Sequence, residues 1–441
     1  MMEGMKQTGI RWIGEIPSDW NTKRIKYMAT LKGRIGWQGL TSEEYQDEGA
    51  YLITGVDFLD GGINWEQCEH VPMKRWEEAK DIQIQNGDLL ITKDGTVGKV
   101  AIVSNMPGET SLNSGVLRIK PVEGYSCRFL YWVLKSEVFW NWFNFQNVGN
   151  STIVHLYQGD FAEFVYAFPE YTEQERIAAY LDSECTKLDE IADIVQHQIE
   201  TLKAYRKSLI TEAVTKGIRK NMEMKPTGID WPGLIPKHWE VKRLKYLCSY
   251  ITDGSHYSPE TVDEGYPYIT AADVHGVGID YESAKKVSES DYRILQRAGC
   301  KPLKNDVLLV KDGATTGRMG MVTSDRECVI LSSVAILRGN KHINNKYLYY
   351  LMESEFMQSQ IIVSMAGSAM PRTILAKIVN YYGLFCPIDE QQEIIHYLDD
   401  HCSKIDTVID SKQAQLDAIT SYKSSLVFEY VTGKKRMKEV M

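Results

Sequence analysis

Thr8-Gly9-Ile10-Arg11-Trp12-Ile13-Gly14-Glu15-Ile16-Pro17-Ser18-Asp19-Trp20 comes back as Thr227-Gly228-Ile229-Asp230-Trp231-Pro232-Gly233-Leu234-Ile235-Pro236-Lys237-His238-Trp239. Trp12 and Trp231 stand 219 residues apart (231 − 12), and so do Trp20 and Trp239, which marks a large tandem duplication rather than a short solenoid repeat. The correspondence continues with Lys23-Arg24-Ile25-Lys26-Tyr27 and Lys242-Arg243-Leu244-Lys245-Tyr246, and with Asp88 to Gly95 and Asp306 to Gly313. Leu130-Tyr131 and Ser136-Glu137 return as Leu348-Tyr349 and Ser354-Glu355. Each copy closes with Glu-Gln followed by Tyr-Leu-Asp: Glu173-Gln174 with Tyr180-Leu181-Asp182, then Glu390-Gln391 with Tyr397-Leu398-Asp399. So little drift between the copies predicts one fold used twice, with a pseudo-twofold relation that suits a bipartite target.

Within each copy a mixed α/β segment precedes a long helix. From about Met28 to Pro169, β-rich runs such as Tyr51 to Thr54 and Val100 to Val103 alternate with Gly and Asp, and one aromatic helix is expected from Arg128 to Phe145. From Leu247 to Pro387 the same order recurs, with strands expected at Asp306 to Val310, Met319 to Thr323 and Val329 to Leu337, and a helix at Lys346 to Ile362. Glu173 to about Lys216 contains no Gly or Pro. There Leu181, Leu188, Val195, Leu202 and Leu209 recur every seven residues, with Ile191, Ile199 and Tyr205 filling the neighbouring face. Glu390 to about Thr432 carries Leu398, Ile405, Ile409, Leu416, Ile419 and Leu426 likewise. Such stripes need partners, and the repeat predicts an intramolecular antiparallel coiled coil, each helix spanning roughly 65 Å at about 1.5 Å per residue.

Composition bounds the function. A chain of 441 residues, 43% hydrophobic, can build real cores. Its start lacks the basic and apolar regions of a signal peptide, and no stretch has the apolar length of a membrane span, so a cytoplasmic location is expected. The eight cysteines form no C-x-x-C pair and suit neither a zinc site nor a disulfide framework. The net charge of −9 counts against a generic nucleic-acid binder, yet permits a chain that is basic on one face. No Asn-Pro-Pro-Tyr-like methyltransferase motif or nucleotide-binding loop is present: Gly95-Thr96-Val97-Gly98-Lys99 has the wrong spacing and reads as a turn between two strands. The nine histidines fall in no spacing suited to metal.

The order of Gly-Ile-x-Trp-x-Gly-x-Ile-Pro-x-x-Trp, variable α/β domain and Glu-Gln-x-x-Ile helix, all repeated, resembles the specificity subunit of Type I restriction-modification systems. The resemblance implies an α+β fold: two repeated α/β target recognition domains, residues 1–170 and 221–387, separated by two long antiparallel coiled-coil helices, 171–220 and 388–441. It implies no catalytic activity and no cofactor or metal in this chain. The implied partners are double-stranded DNA with a split site, two methyltransferase (modification) subunits, and restriction (translocase and nuclease) subunits, which themselves use S-adenosylmethionine, ATP and magnesium.

Bases are read by polar side chains on protruding loops, and phosphates by Lys, Arg and backbone N–H groups. In the first domain Lys32-Gly33-Arg34-Ile35-Gly36-Trp37-Gln38-Gly39 offers Arg34 and Gln38. At the equivalent point the second domain has Ser255, His256 and Tyr257, a different chemistry, which predicts two different half-sites and an asymmetric target. A second pair of loops offers Asn150, Ser151 and Thr152 in one copy, and Ser368 and Arg372 in the other. Lys93 and Lys311, each followed by Asp-Gly, are candidates either to reach phosphate or to cap a hairpin. The Lys23-Arg24-x-Lys26 and Lys242-Arg243-x-Lys245 clusters fit phosphate contact or packing equally. Trp12, Trp20, Trp231 and Trp239 belong to the scaffold motif, and the expectation is that they pack against the ends of the other half's helix. A rival reading is an acidic antirestriction protein that mimics DNA and binds the methyltransferase.

Overall fold

The computed structural model describes residues 4–34, 40–147, 155–229, 231–276, 278–365 and 370–437. They fall into two compact units, one made of Met1–Val195 with Ala414–Met441, the other of Gln196–Gln413. Each unit thus holds one α/β domain and a portion of both long helices, so the division runs through the helices and not at their ends.

In the first unit a four-stranded antiparallel sheet runs in the order Val100–Ile102, Leu89–Thr92, Val116–Pro121, Ala29–Gly33. Beside it Ala50–Ile53 pairs parallel with Thr110–Leu112 and antiparallel with Glu69–Val71. The second unit repeats the scheme. Met319–Met321, Val307–Val310, Val334–Gly339 and Cys248–Asp253 form the four-stranded sheet, and Tyr266–Ile269 pairs parallel with Val329–Ile330. Even the register is kept: Leu117 lies opposite Ile91 and Gly33, and Ala335 opposite Leu309 and Asp253.

Two expectations about these domains need correction. The apolar run Val329 to Leu337 is not one strand. Val329–Ile330 and Val334–Gly339 join different partners, and a turn at Leu331 to Ser333, closed by Val334 N–H donating to Leu331 O at 2.9 Å, separates them. Nor are Arg128 to Phe145 and Lys346 to Ile362 single helices. Cys127–Lys135 and Glu137–Gln146 are divided at Ser136, whose hydroxyl caps Val138 N–H, and Asn345–Glu353 and Glu355–Ser364 are divided at Ser354, which caps Met357 N–H. A capping hydroxyl needs its own residue in extended backbone, so it breaks the helix before it starts the next one.

The long helices span Tyr171–Lys216, 46 residues, and Ile388–Val431, 44 residues. No helix among the described residues is long and apolar enough to cross a membrane. In the first unit Tyr180 meets Tyr430 with ring centroids 4.8 Å apart and Asp189 pairs with Lys423, so the two helix portions run antiparallel. In the second unit Arg206 pairs with Asp406 at 2.9 Å and Arg219, just past the end of the first helix, with Glu393 at 2.7 Å, again antiparallel. Of the heptad residues Leu181, Val195 and Leu209 are buried and Leu188 and Leu202 half-buried; on the neighbouring face Ile199 is buried, but Ile191 and Tyr205 are exposed, because the two-helix seam covers only one narrow stripe.

The repeated motifs hold each domain to its helices. Gln174 is buried, accepts Ser126 N–H at 2.8 Å and donates to Pro169 O at 2.9 Å; Gln391 does the same with Asn344 N–H and Cys386 O, both at 2.8 Å. Trp20 lies in one core with Leu426, Val427 and Tyr430, and Trp239 in another with Ile210, Ala213 and Val214. Each of these tryptophans therefore packs on the end of the other half's helix, as expected. Trp12 donates to Val165 O at 3.0 Å, and Trp231 lies 5.4 Å from the Phe356 ring.

Candidate nucleic-acid interface

Five loops gather at one rim of each domain, held by equivalent backbone bonds. In the first, Lys93 N–H donates to Gly115 O at 2.8 Å, Leu156 N–H to Lys93 O at 2.9 Å, and Asn113 N–H to Ile53 O at 2.9 Å. In the second, Lys311 N–H donates to Ser333 O at 2.8 Å, Thr373 N–H to Lys311 O at 2.9 Å, and Leu331 N–H to Ile269 O at 2.8 Å. Since connecting loops carry the variable chemistry while sheets fix their positions, these rims are where the repeated scaffold presents different side chains. The rim brings together the strand end before Arg34 or Gly254, the turn after Ile53 or Ile269, the Lys-Asp-Gly turn, the turn after Leu112 or Ile330, and the segment at His155 or Arg372.

Several candidate residues stand elsewhere than expected. Arg34 is not an exposed loop residue. It is 5% exposed, with Nε donating to Leu112 O at 2.7 Å and Nη2 to Ser111 Oγ at 2.9 Å. Desolvation, with Arg75 nearby, pulls its pKa down to about 10. Its guanidinium thus ties the strand Ala29–Gly33 to the end of Thr110–Leu112, which makes it an anchor for the loop that follows. In the second unit Gly254 occupies that place: a Cβ there would lie 2.2 Å from Ile330 O, so only glycine lets the two backbones meet. Ser255 N–H then reaches Ile330 O at 3.3 Å.

Lys311 is likewise no exposed phosphate contact. Its side chain is 2% exposed and Nζ lies 3.3 Å from Asp253 and 3.0 Å from Asp312. Asp312 also takes Arg372 Nε at 2.8 Å. Lys93, its counterpart, is half-buried; Gly33 stands where Asp253 would be and supplies no carboxylate. Asp94 instead pairs with His155 Nδ1 at 2.6 Å, so His155 takes the part that Arg372 plays in the other unit. His256 and Tyr257 are exposed on the second rim, His256 3.7 Å from Asp253, and Ser255 Oγ accepts Tyr257 N–H at 2.9 Å. Gln38, Asn150, Ser151, Thr152 and Ser368 lie outside the described residues.

The basic clusters at the start of each domain make contacts within their own domain: Arg24 and Lys26 pair with Glu163, while Lys242 lies 4.0 Å above the Phe385 ring and Arg243 donates to Asn380. Other rim residues escaped the sequence reading. Thr54 caps back onto Asp57 and Thr270 onto Asp273, each through N–H and hydroxyl, beside the turns at Asn113 to Gly115 and Leu331 to Ser333. The repeated Thr-x-x-Asp spacing was the available signal. Val56 and Tyr157, 76% and 63% exposed, complete the first rim.

Two matched rims on duplicated domains, each backed by helix portions from both halves, define a protein with twin recognition heads. The model of the Type I restriction modification DNA specificity domain matches residues 17–204 and 236–418, and the chain belongs to that family. It is a specificity subunit, and its work is DNA sequence recognition.

Among its relatives is the Type I restriction enzyme MjaVIII specificity subunit of Methanocaldococcus jannaschii, 24% identical over 96% of this chain and 95% of that protein. The EcoBI specificity subunit of Escherichia coli is 24% identical over 88% of this chain and 80% of that protein. A solved chain from a study of complex assembly and conformational transition of the type I R-M system shares the fold, with TM-score 0.69 at 16% identity over 95% of this chain and 99% of that one.

Proposed function

We propose that the two rims read the two halves of a split, asymmetric DNA site, and that this chain does no chemistry of its own. Modification subunits docked on it would methylate within each half-site, restriction subunits would join them, and the assembly would work in the cytoplasm. The observation that carries this reading is the contrast between scaffold and rim. Register, caps and buried glutamines match between the units, while Arg34 in one corresponds to Gly254 in the other, His155 to Arg372, and Lys93 to the paired Lys311. Surfaces kept on one frame but given different donors and acceptors suit different base sequences. The long helices, each contributing to both units without a break, would set the gap between half-sites. Family membership favours this over the DNA-mimic reading. Methylation mapping in cells carrying the chain with its methyltransferase tests it. Two unlike words separated by a fixed gap are expected; methylation at a single contiguous word would overturn it.

A further inference from the structure

We propose that a basic cleft on the flank of the second unit grips the phosphodiester backbone of DNA beside the half-site read by the second rim. The inference rests on that rim reading DNA. The cleft encloses about 740 Å³ between the long helix Tyr171–Lys216, which supplies Lys203, Arg206 and Lys207, and the turn Ala314 to Arg318.

Four cations line it, and only part of their charge is spent. Arg206 is held by Asp406 at 2.9 Å and lies 4.0 Å from Glu353. Burial raises the pKa of Glu353 against the pull of Arg206 and Lys207. Lys207 is 3.9 Å from Glu355, with both side chains about half exposed, a contact worth little in solvent. Lys203 is exposed and forms no ion pair among the described residues, and Arg318 gives one N–H to Val274 O at 3.3 Å.

Continuity with the rim points to the occupant. The turn that walls the cleft begins at Lys311 and Asp312, and Thr316 Oγ1 donates to Pro371 O, next to Arg372. A duplex seated on the rim would therefore bring its backbone to this wall. On a chain with net charge −9, a concentration of cations at one place answers the electrostatic need of phosphate binding. Among the described residues the first unit has no matching device. At the matching positions of the second long helix stand Thr420, Lys423 and Ser424; Lys423 is paired with Asp189, and Ser424 donates to Glu137 at 2.8 Å. The cleft there is lined by hydroxyls, Asp417 and Glu137. The grip is one-sided.

The test is Lys203→Ala/Lys207→Ala in the full chain assembled with its modification subunits. Binding is measured on a labelled duplex carrying the mapped site and on a scrambled one, between about 50 and 200 mM salt. Losing two phosphate contacts should flatten the slope of log affinity against log salt by about 2, at ~0.9 per phosphate, on both duplexes, with the preference between them unchanged. Both side chains are exposed, so thermal unfolding should stay near wild type. An unchanged slope overturns the proposal, as does a variant that binds DNA normally but assembles poorly with the modification subunits, which would assign the cleft to an acidic protein partner. Because the slope is also read on scrambled DNA, the cleft is tested even if the wild type shows no preference for the mapped site, an outcome that would bring down the recognition rim instead.

Discussion

A guanidinium and a glycine at one position of a duplicated frame show how the two heads diverge. Arg34 spends its donors on Leu112 O and Ser111 Oγ, both buried, whereas Gly254 brings its backbone directly to Ile330. Arg34→Ala strips partners from a buried carbonyl and hydroxyl and leaves a void, and should destabilise the first unit by about 2 kcal/mol. A urea titration of the full chain measures it, and a change below about 0.5 kcal/mol, ordinary for a surface site, would refute the anchor. Because an anchor positions a whole loop, the variant should also weaken recognition across the entire first half-site rather than at one base pair. The sequence places Arg34 beside glycines and suggests a loop contact; its burial depends on a strand end 78 residues away and is not written locally. Lys93 and Lys311 teach the same lesson. They share a motif, yet one is half-buried and the other enclosed, because Asp253 stands opposite only the second.

At the scale of elements, legibility follows locality. The long helices could be read within a few residues of their ends, since an apolar stripe and the absence of Gly and Pro are properties of the segment itself. The Val329 to Leu337 run misled because its two pieces are assigned by different distant partners, Tyr266–Ile269 and Val307–Val310. The Ser136-Glu137 and Ser354-Glu355 pairs stood in plain view as repeats, but their meaning as helix breaks needed the cap geometry. The helix ends offer a sharper test. Gly433 and Gly217 both adopt φ near +70°, at +70° and +75°, where an added Cβ costs about 1 kcal/mol in either case. At Gly433 that Cβ would also stand 2.5 Å from Pro17 Cδ, a ring that cannot swing aside. At Gly217 it would meet Met222 Cε at 2.6 Å, the tip of a flexible chain. Gly433→Ala should therefore cost about 3 kcal/mol and Gly217→Ala about 1–2 kcal/mol. Equal shifts in thermal unfolding would mean that Pro17 and Trp20 do not lock the end of the second helix.

For the whole molecule, the consequence of duplication is that neither half owns a unit. The core around Trp20 needs Leu426 to Val431, and the core around Trp239 needs Leu209 to Val214. Among the described residues helix is thus the only secondary structure shared between the units, and it is this that the proposed gap-setting role exploits. Removing residues 193–199 from the first long helix and 413–419 from the second takes one heptad from each and leaves the Asp189–Lys423 and Arg206–Asp406 pairs in place. The apolar stripe, which recurs every seven residues, stays in phase, so both units should keep their folds by circular dichroism. Seven residues of helix amount to about 10 Å, or about 3 base pairs of duplex at 3.4 Å each. Methylation mapping of this double deletion should return the same two half-site words at a gap shorter by that amount. If the words persist at the original gap, the helices do not set the spacing, and the distance must be fixed by the subunits that dock on them.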